Sequence, residues 1–245
     1  MKKFASLILS AVVLTTLAAS PGYGQSAQDV LNKMIDAMGG RKALQAVKDT
    51  TIVGAVEIVQ AGMAASITIY QKEPNKLRAD IEISAVGMTI TQTYDGQKAW
   101  WTNPQTGQNE ELTGPQAQEI MHQAIGNASL LDPQKLGITY ALKPKAALDG
   151  KDYIVLEQTL SDGHKITIYI DPATYLPYMA RALSLDAMTG VEADTETYLS
   201  DYRKVGGLMV AHTNVSKQNG VEVQKLNISS VTYNTNLADS LFILK

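Results

Sequence analysis

Between Leu77 and Ile83 the chain alternates strictly. Leu77, Ala79, Ile81 and Ile83 are apolar, while Arg78, Asp80 and Glu82 are charged, which is the period-two pattern of a strand with one dry and one wet face. Lys165 to Ile170 repeats it with Ile166, Ile168 and Ile170 on the dry side, and Ile67 with Ile69 and Met88 with Ile90 share the spacing. Asp95-Gly96, Asp149-Gly150, Asp162-Gly163 and Asn219-Gly220 fall between such runs and supply the positive φ angles of tight hairpins. The pattern predicts about ten or eleven strands. One covers Thr50 to Gln60, three lie between Ala64 and Tyr94, one runs from Lys98 to Thr102, and the rest fall between Tyr153 and Ile228. Hairpin connections make the sheet antiparallel.

The period changes to helical in few places. Ser26 with Asp29 has the form of a capping box, and Val30, Leu31, Met34, Ile35 and Met38 share one face before Gly39-Gly40 ends the run. A shorter turn over Arg41 to Val47 brings Ala43, Leu44 and Val47 inward. A third helix is expected after Thr113-Gly114-Pro115, with Ala117, Ile120, Met121, Ala124 and Ile125 on one side and Gly126-Asn127 as its stop.

The fold class is therefore mostly β, with a few helices. A twisted sheet of that size curls, and its apolar inner face must be covered. The helices at 26–47 and 114–125 can lie across the concavity without filling it, which leaves an apolar cavity suited to a hydrophobic ligand. Met34, Met38, Met121 and Met88 would line or cover it with adaptable side chains. The alternative is a concavity filled by its own side chains.

Composition narrows the function classes. With no cysteine among 245 residues, disulfides, thiolate metal sites and cysteine nucleophiles are excluded. A net charge of −3 without any basic run argues against nucleic acid as a partner. Residues 1–24 read as a signal peptide: Lys2 and Lys3 precede the apolar stretch Phe4 to Ala19, and Gly22 and Gly24 place small residues before a cleavage point at Gln25. An N-terminal membrane anchor is the alternative, but the run is shorter than the roughly 20 residues of a spanning helix. Loss of Lys2 and Lys3 with the leader would take the charge from −3 to −5. The remaining domain, 25–245, would be exported and soluble.

Chemistry-bearing clusters are scarce. His122, His164 and His212 have no metal-ligand spacing, and the chain has no Gly-x-Ser-x-Gly elbow, phosphate loop or dinucleotide fingerprint. No cofactor, metal or enzymatic activity is expected.

Several stretches are similar to a known family. Tyr70-Gln71-Lys72-Glu73-Pro74-Asn75-Lys76-Leu77-Arg78 and Tyr94-Asp95-Gly96-Gln97-Lys98-Ala99-Trp100-Trp101-Thr102-Asn103-Pro104 resemble the central hairpins of the LolA/LolB lipoprotein-localisation family. Ala37-Met38-Gly39-Gly40, Tyr169-Ile170-Asp171-Pro172-Ala173-Thr174, and Asp201 to Leu208 ahead of Phe242 resemble the wider group of outer-membrane lipoprotein-sorting proteins. The resemblance spans nearly the whole chain after the leader. It implies an unclosed, eleven-stranded half-barrel, lidded by helices on its concave face, that carries lipoprotein acyl chains through the periplasm. The implied partners are lipid or lipoprotein acyl chains and a membrane-protein donor and acceptor, with the chain itself a monomer.

Leu77 and Ala79 match positions where the family turns apolar side chains into its cavity, and by alternation Ile81, Ile83, Met88, Ile90, Ile166, Ile168 and Ile170 would continue that lining, with Trp100 preferred over Trp101 as the inward tryptophan. Met34, Met38, Ile120 and Met121 would form the lid. One departure stands out: the family's lid-latching arginine before Pro-Asn is replaced by Glu73, which has no donor when ionised, leaving Lys72 or Arg78 as substitutes. A sensor that docks a protein partner in the same half-barrel is the alternative function.

Overall fold

A computed structural model describes residues 25–185 and 190–244; the expected signal peptide, 1–24, lies outside them. The strands are β1 (Asp49–Ile58), β2 (Met63–Lys72), β3 (Lys76–Ile83), β4 (Met88–Tyr94), β5 (Ala99–Thr102), β6 (Asn109–Leu112), β7 (Thr139–Leu148), β8 (Lys151–Thr159), β9 (Lys165–Ile170), β10 (Pro177–Leu185), β11 (Glu192–Val205), β12 (Leu208–Gln218) and β13 (Val221–Tyr233). All join one antiparallel sheet in the order β6-β5-β4-β3-β2-β1-β13-β12-β11-β10-β9-β8-β7. Two meanders thus meet where β1 pairs with β13, and β6 and β7 remain as unjoined edges. This is the unclosed half-barrel, built from thirteen strands rather than about eleven.

The two strands beyond expectation, β6 and β7, are those edges. Asn109-Glu110-Glu111-Leu112 is too short and polar to show a period, and β7 carries Lys143-Pro144-Lys145. Proline cannot donate to a ladder and belongs at an edge; the β7–β8 register shifts between Lys143 and Ala146.

The helices are α1 (Ala27–Ala37), α2 (Arg41–Ala46), α3 (Gly114–Gln123) and α4 (Ala128–Leu131). The Ser26 side chain accepts from the Asp29 N–H and the Asp29 carboxylate accepts from the Ser26 N–H, so the capping box is formed. Gly39 (φ 124°) ends the run, and a Cβ there would stand 2.6 Å from the Gly207 carbonyl oxygen. Only glycine fits this contact between the end of α1 and the β11–β12 turn.

Two helical seats cover parts of the concave face. Val30, Leu31, Met34 and Ile35 of α1, with Leu44 and Val47, bury Ile154, Leu156, Ile170 and Leu208. Ile120 and Ala124 of α3 pack on Leu77, Tyr94 and Ala99. A third cluster, Val56, Ala65, Ile67, Ile83, Leu226 and Ile228, belongs to the sheet alone.

The convex face is strapped by the C-terminal segment. Asp49 accepts from the N–H groups of Thr235, Asn236 and Leu237. Lys72 donates to the Leu237 carbonyl and pairs with Asp239, and Arg78 donates to the Leu241 carbonyl. Phe242 is fully buried.

Candidate hydrophobic-ligand groove

The ladder decides which side chains share the concave face. Leu77 stands beside Gln71 and Tyr94; Ala79 beside Ile69 and Gln92; Ile81 beside Ile67 and Ile90; Ile83 beside Met88. Across the β1–β13 junction the same face continues through Ile52 and Val231, then Val56 and Leu226. In the other meander Leu156, Ile168 and Ala180 align, as do Gln158, Ile166 and Ala182. Ala79, Ile81, Ile83, Met88, Ile90, Ile166, Ile168, Ile170 and Leu77 therefore share one side, as period-two alternation requires.

Trp100 does not. It pairs with Thr93, which pairs with Arg78, on the convex face, whereas Trp101 pairs with Gln92 beside Ala79. The sequence cannot separate adjacent tryptophans by composition; the register does so, and Trp101 is the inward one.

Burial divides the concave residues further. Leu77 is buried beneath α3 in one cluster with Ile120, and Ile170 beneath α1 in one cluster with Met34. These positions are filled core. Ile52, Ile69, Ile81, Met88, Ile90 and Val231 are only partly buried around the sheet cluster, and Ala79, Ile166 and Ile168 are likewise half-exposed. They leave half-exposed apolar surface on the concave face beside the two helical seats, the candidate groove. Met38 is half-buried at the α1 seat. Met121 borders a hollow of about 170 Å³ enclosed by Pro74, Tyr94, Ile125, Ile138, Leu160 and Asp162. That is below the roughly 300 Å³ of a ligand pocket. The expected cavity is thus an open groove with a narrow hollow beside it, because side chains of α1 and α3 interdigitate with the sheet instead of merely spanning it.

Polar contacts hold α3 across the groove. His122 Nε2 donates to Asp162 in the β8–β9 turn at 2.7 Å, and its ring stacks on His164 with centroids 4.2 Å apart. The Leu185 N–H on β10 donates to Glu119 at 3.4 Å. At the other end of the segment Glu73 Oε1 accepts from the Asn127 N–H at 2.8 Å, and the Gly126 N–H donates to the Pro74 carbonyl. Glu73 therefore ties down the α3–α4 junction as an acceptor, the reverse of an arginine donating to carbonyls. Lys72 and Arg78 do not substitute, since both serve the convex strap.

Electrostatics tune these joints. Burial raises the Glu73 pKa above the usual carboxylate value, and the N–H groups of Asn127 and Ala128 only partly oppose it. Burial, followed by the charge of His122, lowers the His164 pKa, with Asp162, Glu119 and Glu192 opposing. The hydrogen bond from His122 holds Asp162 below its ordinary value. Histidines at 122 and 164 carry no sequence signal for this joint; it forms because the β8–β9 turn, with Asp162 and His164, reaches α3. Among the described residues no group of three or more His, Asp or Glu is placed to hold a metal ion, and no helix is long and apolar enough to cross a membrane.

No protein-family model and no curated protein sequence matches the chain. Among solved structures, a DUF1329 family protein from Desulfovibrio piger is similar at 16% identity and a TM-score of 0.60, with 89% of this chain and 95% of that one covered. A LolA superfamily protein from Nitrosomonas europaea gives 17% identity and 0.60, covering 90% and 99%. A putative outer membrane lipoprotein-sorting protein domain from Vibrio parahaemolyticus gives 14% and 0.58, covering 88% and 95%. The chain has a LolA-like fold.

Proposed function

We propose that the chain is a periplasmic binder or carrier of lipid or lipoprotein acyl chains, of the lipoprotein-sorting type, which holds its cargo in the concave groove by burial and not by covalent chemistry. The observation that carries this reading is the run of half-exposed apolar side chains, Ile52, Ile69, Ile81 and Ile90, beside a helix fastened by a few polar joints. The fold of a LolA superfamily protein and a lipoprotein-sorting domain supports it. An acyl chain gains about 0.8 kcal/mol per buried methylene, so a chain laid along this groove is held without a closed pocket. Displacing α3 joins groove and hollow and lengthens the buried path.

The test is native mass spectrometry of protein from its own host, paired with displacement of a fluorescent fatty acid. Bound lipid in the first and saturable uptake in the second are expected, with Ile81→Glu abolishing both. Protein that is repeatedly lipid-free and takes up no probe would end the proposal. Loss of a protein partner, with lipid uptake unchanged in Ile81→Glu, would assign the groove to docking instead.

A further inference from the structure

Strands β10 to β13 differ in character on their two faces. On the convex side Arg181 stands beside Glu196, Glu196 beside Lys217 and Lys217 beside Glu222, so one whole row across four strands is ionised. On the concave side of the same strands the rows read Ala182-Thr195-Gln218, Ala180-Thr197-Ser216-Gln224 and Leu199-Asn214-Leu226. These rows are polar and hold no charge. The convex face of β3 is built with charge as well, at Arg78, Asp80 and Glu82, so an uncharged polar strip is a different kind of surface from the solvated faces of this sheet.

The strip is an island in an apolar floor. Leu226, beside Asn214, belongs to the sheet cluster and faces Val56. On the other flank Ala180 and Ala182 lead to Ile168 and Ile166. Within the strip Gln218 Nε2 donates to Thr195 Oγ1 at 3.3 Å, Ser184 Oγ bonds the same hydroxyl, and Thr197 and Ser216 are joined at 3.1 Å. Sharing one bond, the Thr197 and Ser216 hydroxyls keep one of their two protons for a further acceptor. Two acceptors complete the strip on β12. Asn214 Oδ1 is shut off from solvent and has no hydrogen-bond partner, a costly state that an incoming donor relieves. His212 is 5% exposed, and its Nδ1 lies 2.9 Å from the Val210 carbonyl. A carbonyl only accepts, so Nδ1 carries the proton and Nε2 of the neutral ring is an acceptor. The charge that α3 brings to this end of the floor is negative: Glu119 accepts from the N–H of Leu185, next to Ser184.

We propose that this strip is the head-group subsite of the groove, and that the cargo it selects is an acyl chain whose head is neutral and bears hydroxyl groups, as in an acylglycerol. The inference rests on the cargo reading and adds the class of cargo. A carboxylate or phosphate head finds no cation in the three rows and meets Glu119, so it would lose its hydration without a partner. A bare ester offers acceptors alone and leaves Asn214 Oδ1 and His212 Nε2 unmet. Hydroxyl groups donate and accept, which matches the mixture that the strip presents. With the head over Asn214 and Ser216, the chain runs across Leu226 and Val56 toward the half-exposed Ile81 and Ile90.

The experiment is displacement of a fluorescent fatty acid from the protein by four competitors of equal chain length: monolauroylglycerol, methyl laurate, laurate and dodecylammonium. Monolauroylglycerol should displace the probe at about tenfold lower concentration than the other three. Asn214→Leu removes an acceptor that has no partner in the free protein, so its melting temperature should hold and methyl laurate should compete as before, while the preference for the glycerol ester falls to about threefold. Thr197→Val with Ser216→Ala, a near-isosteric pair at separate positions, should lower the preference to a similar degree. Glu196→Gln, on the convex face, should leave it unchanged. Equal displacement by all four competitors, a preference for laurate or dodecylammonium, or a glycerol-ester preference that survives in both strip variants would overturn the subsite and leave the cargo reading standing. Failure of the protein to take up the probe or any competitor would end both.

Discussion

The two helical seats on the concave face hold their helices by different physics. Under α1 the interface is dry: Val30, Leu31, Met34, Ile35, Leu156 and Ile170 are each at most 1% exposed. Under α3 the apolar contact narrows to Ile120 and Ala124, with Met121, Ala117 and Leu112 only partly buried, and the segment is held by carboxylate, imidazole and backbone N–H groups at its ends. Dry packing cannot be released without exposing a core. Polar joints exchange partners with water at small net cost. Hence α1 completes the fold, while α3 is the element expected to open first.

The largest effect should follow from cutting the α1 seat. Leu156→Ala removes a fully buried side chain and is expected to cost about 3 kcal/mol, seen as a fall in melting temperature of about 10 °C. Ile120→Ala removes a comparable side chain at the α3 seat, yet its cost is capped by the free energy of local opening. Its melting temperature should fall much less, with the loss appearing as faster hydrogen exchange confined to 114–131. Equal melting losses for the two variants would erase the distinction between seats.

Breaking single polar joints comes next. His122→Ala removes both the bond to Asp162 and the stack on His164, and α3 amides should exchange about tenfold faster while those of α1 do not change. Exchange that rises equally in both helices would mean that they open as one unit.

The joints can also be separated by pH. Glu73 has a raised pKa, so its contribution to closure is complete below the ordinary carboxylate value of about 4.3 and is lost as pH rises through the higher folded value. His164 has a lowered pKa, so its contribution is present above about 6.5 and is lost as pH falls through the lower folded value. The two oppose each other in the parent. His164→Asn should leave an α3 that closes more firmly on acidification, and Glu73→Gln one that loosens. Distance between nitroxide labels at Gln118 and Lys165, read from pH 4 to pH 8, checks both signs; the same trend in both variants would refute the assignment.

How much of this was legible in the sequence follows the same division. The α1 seat is written locally: Ser26 and Asp29 start the helix, Gly39 ends it, and one apolar face runs between them. The central strands are equally plain, since one wet and one dry face impose alternation. Edge strands β6 and β7, paired on one side only, carry too little pattern to be read. The joints of α3 were not legible because their partners are distant and partly backbone: Asn127 offers Glu73 only an N–H, 54 residues away. An acidic residue in place of an arginine looks like the loss of a latch until the fold shows a donor facing it.

The smallest effect tests the groove itself, at the adjacent tryptophans that the sequence could not assign. Trp101 lies on the concave face beside Gln92 and Ala79, whereas Trp100 lies on the convex face with Thr93, where Lys98 Nζ sits 6.0 Å from its ring centre. A fatty acid brominated along its chain quenches tryptophan only at close range, so bound cargo should dim the Trp100→Phe variant, which keeps Trp101, and leave the Trp101→Phe variant bright. The change is a partial loss of intensity at unaltered stability, because both rings are half-exposed. Quenching confined to Trp100 would place the cargo outside the concavity and transfer the binding role from the concave groove to the strapped convex face.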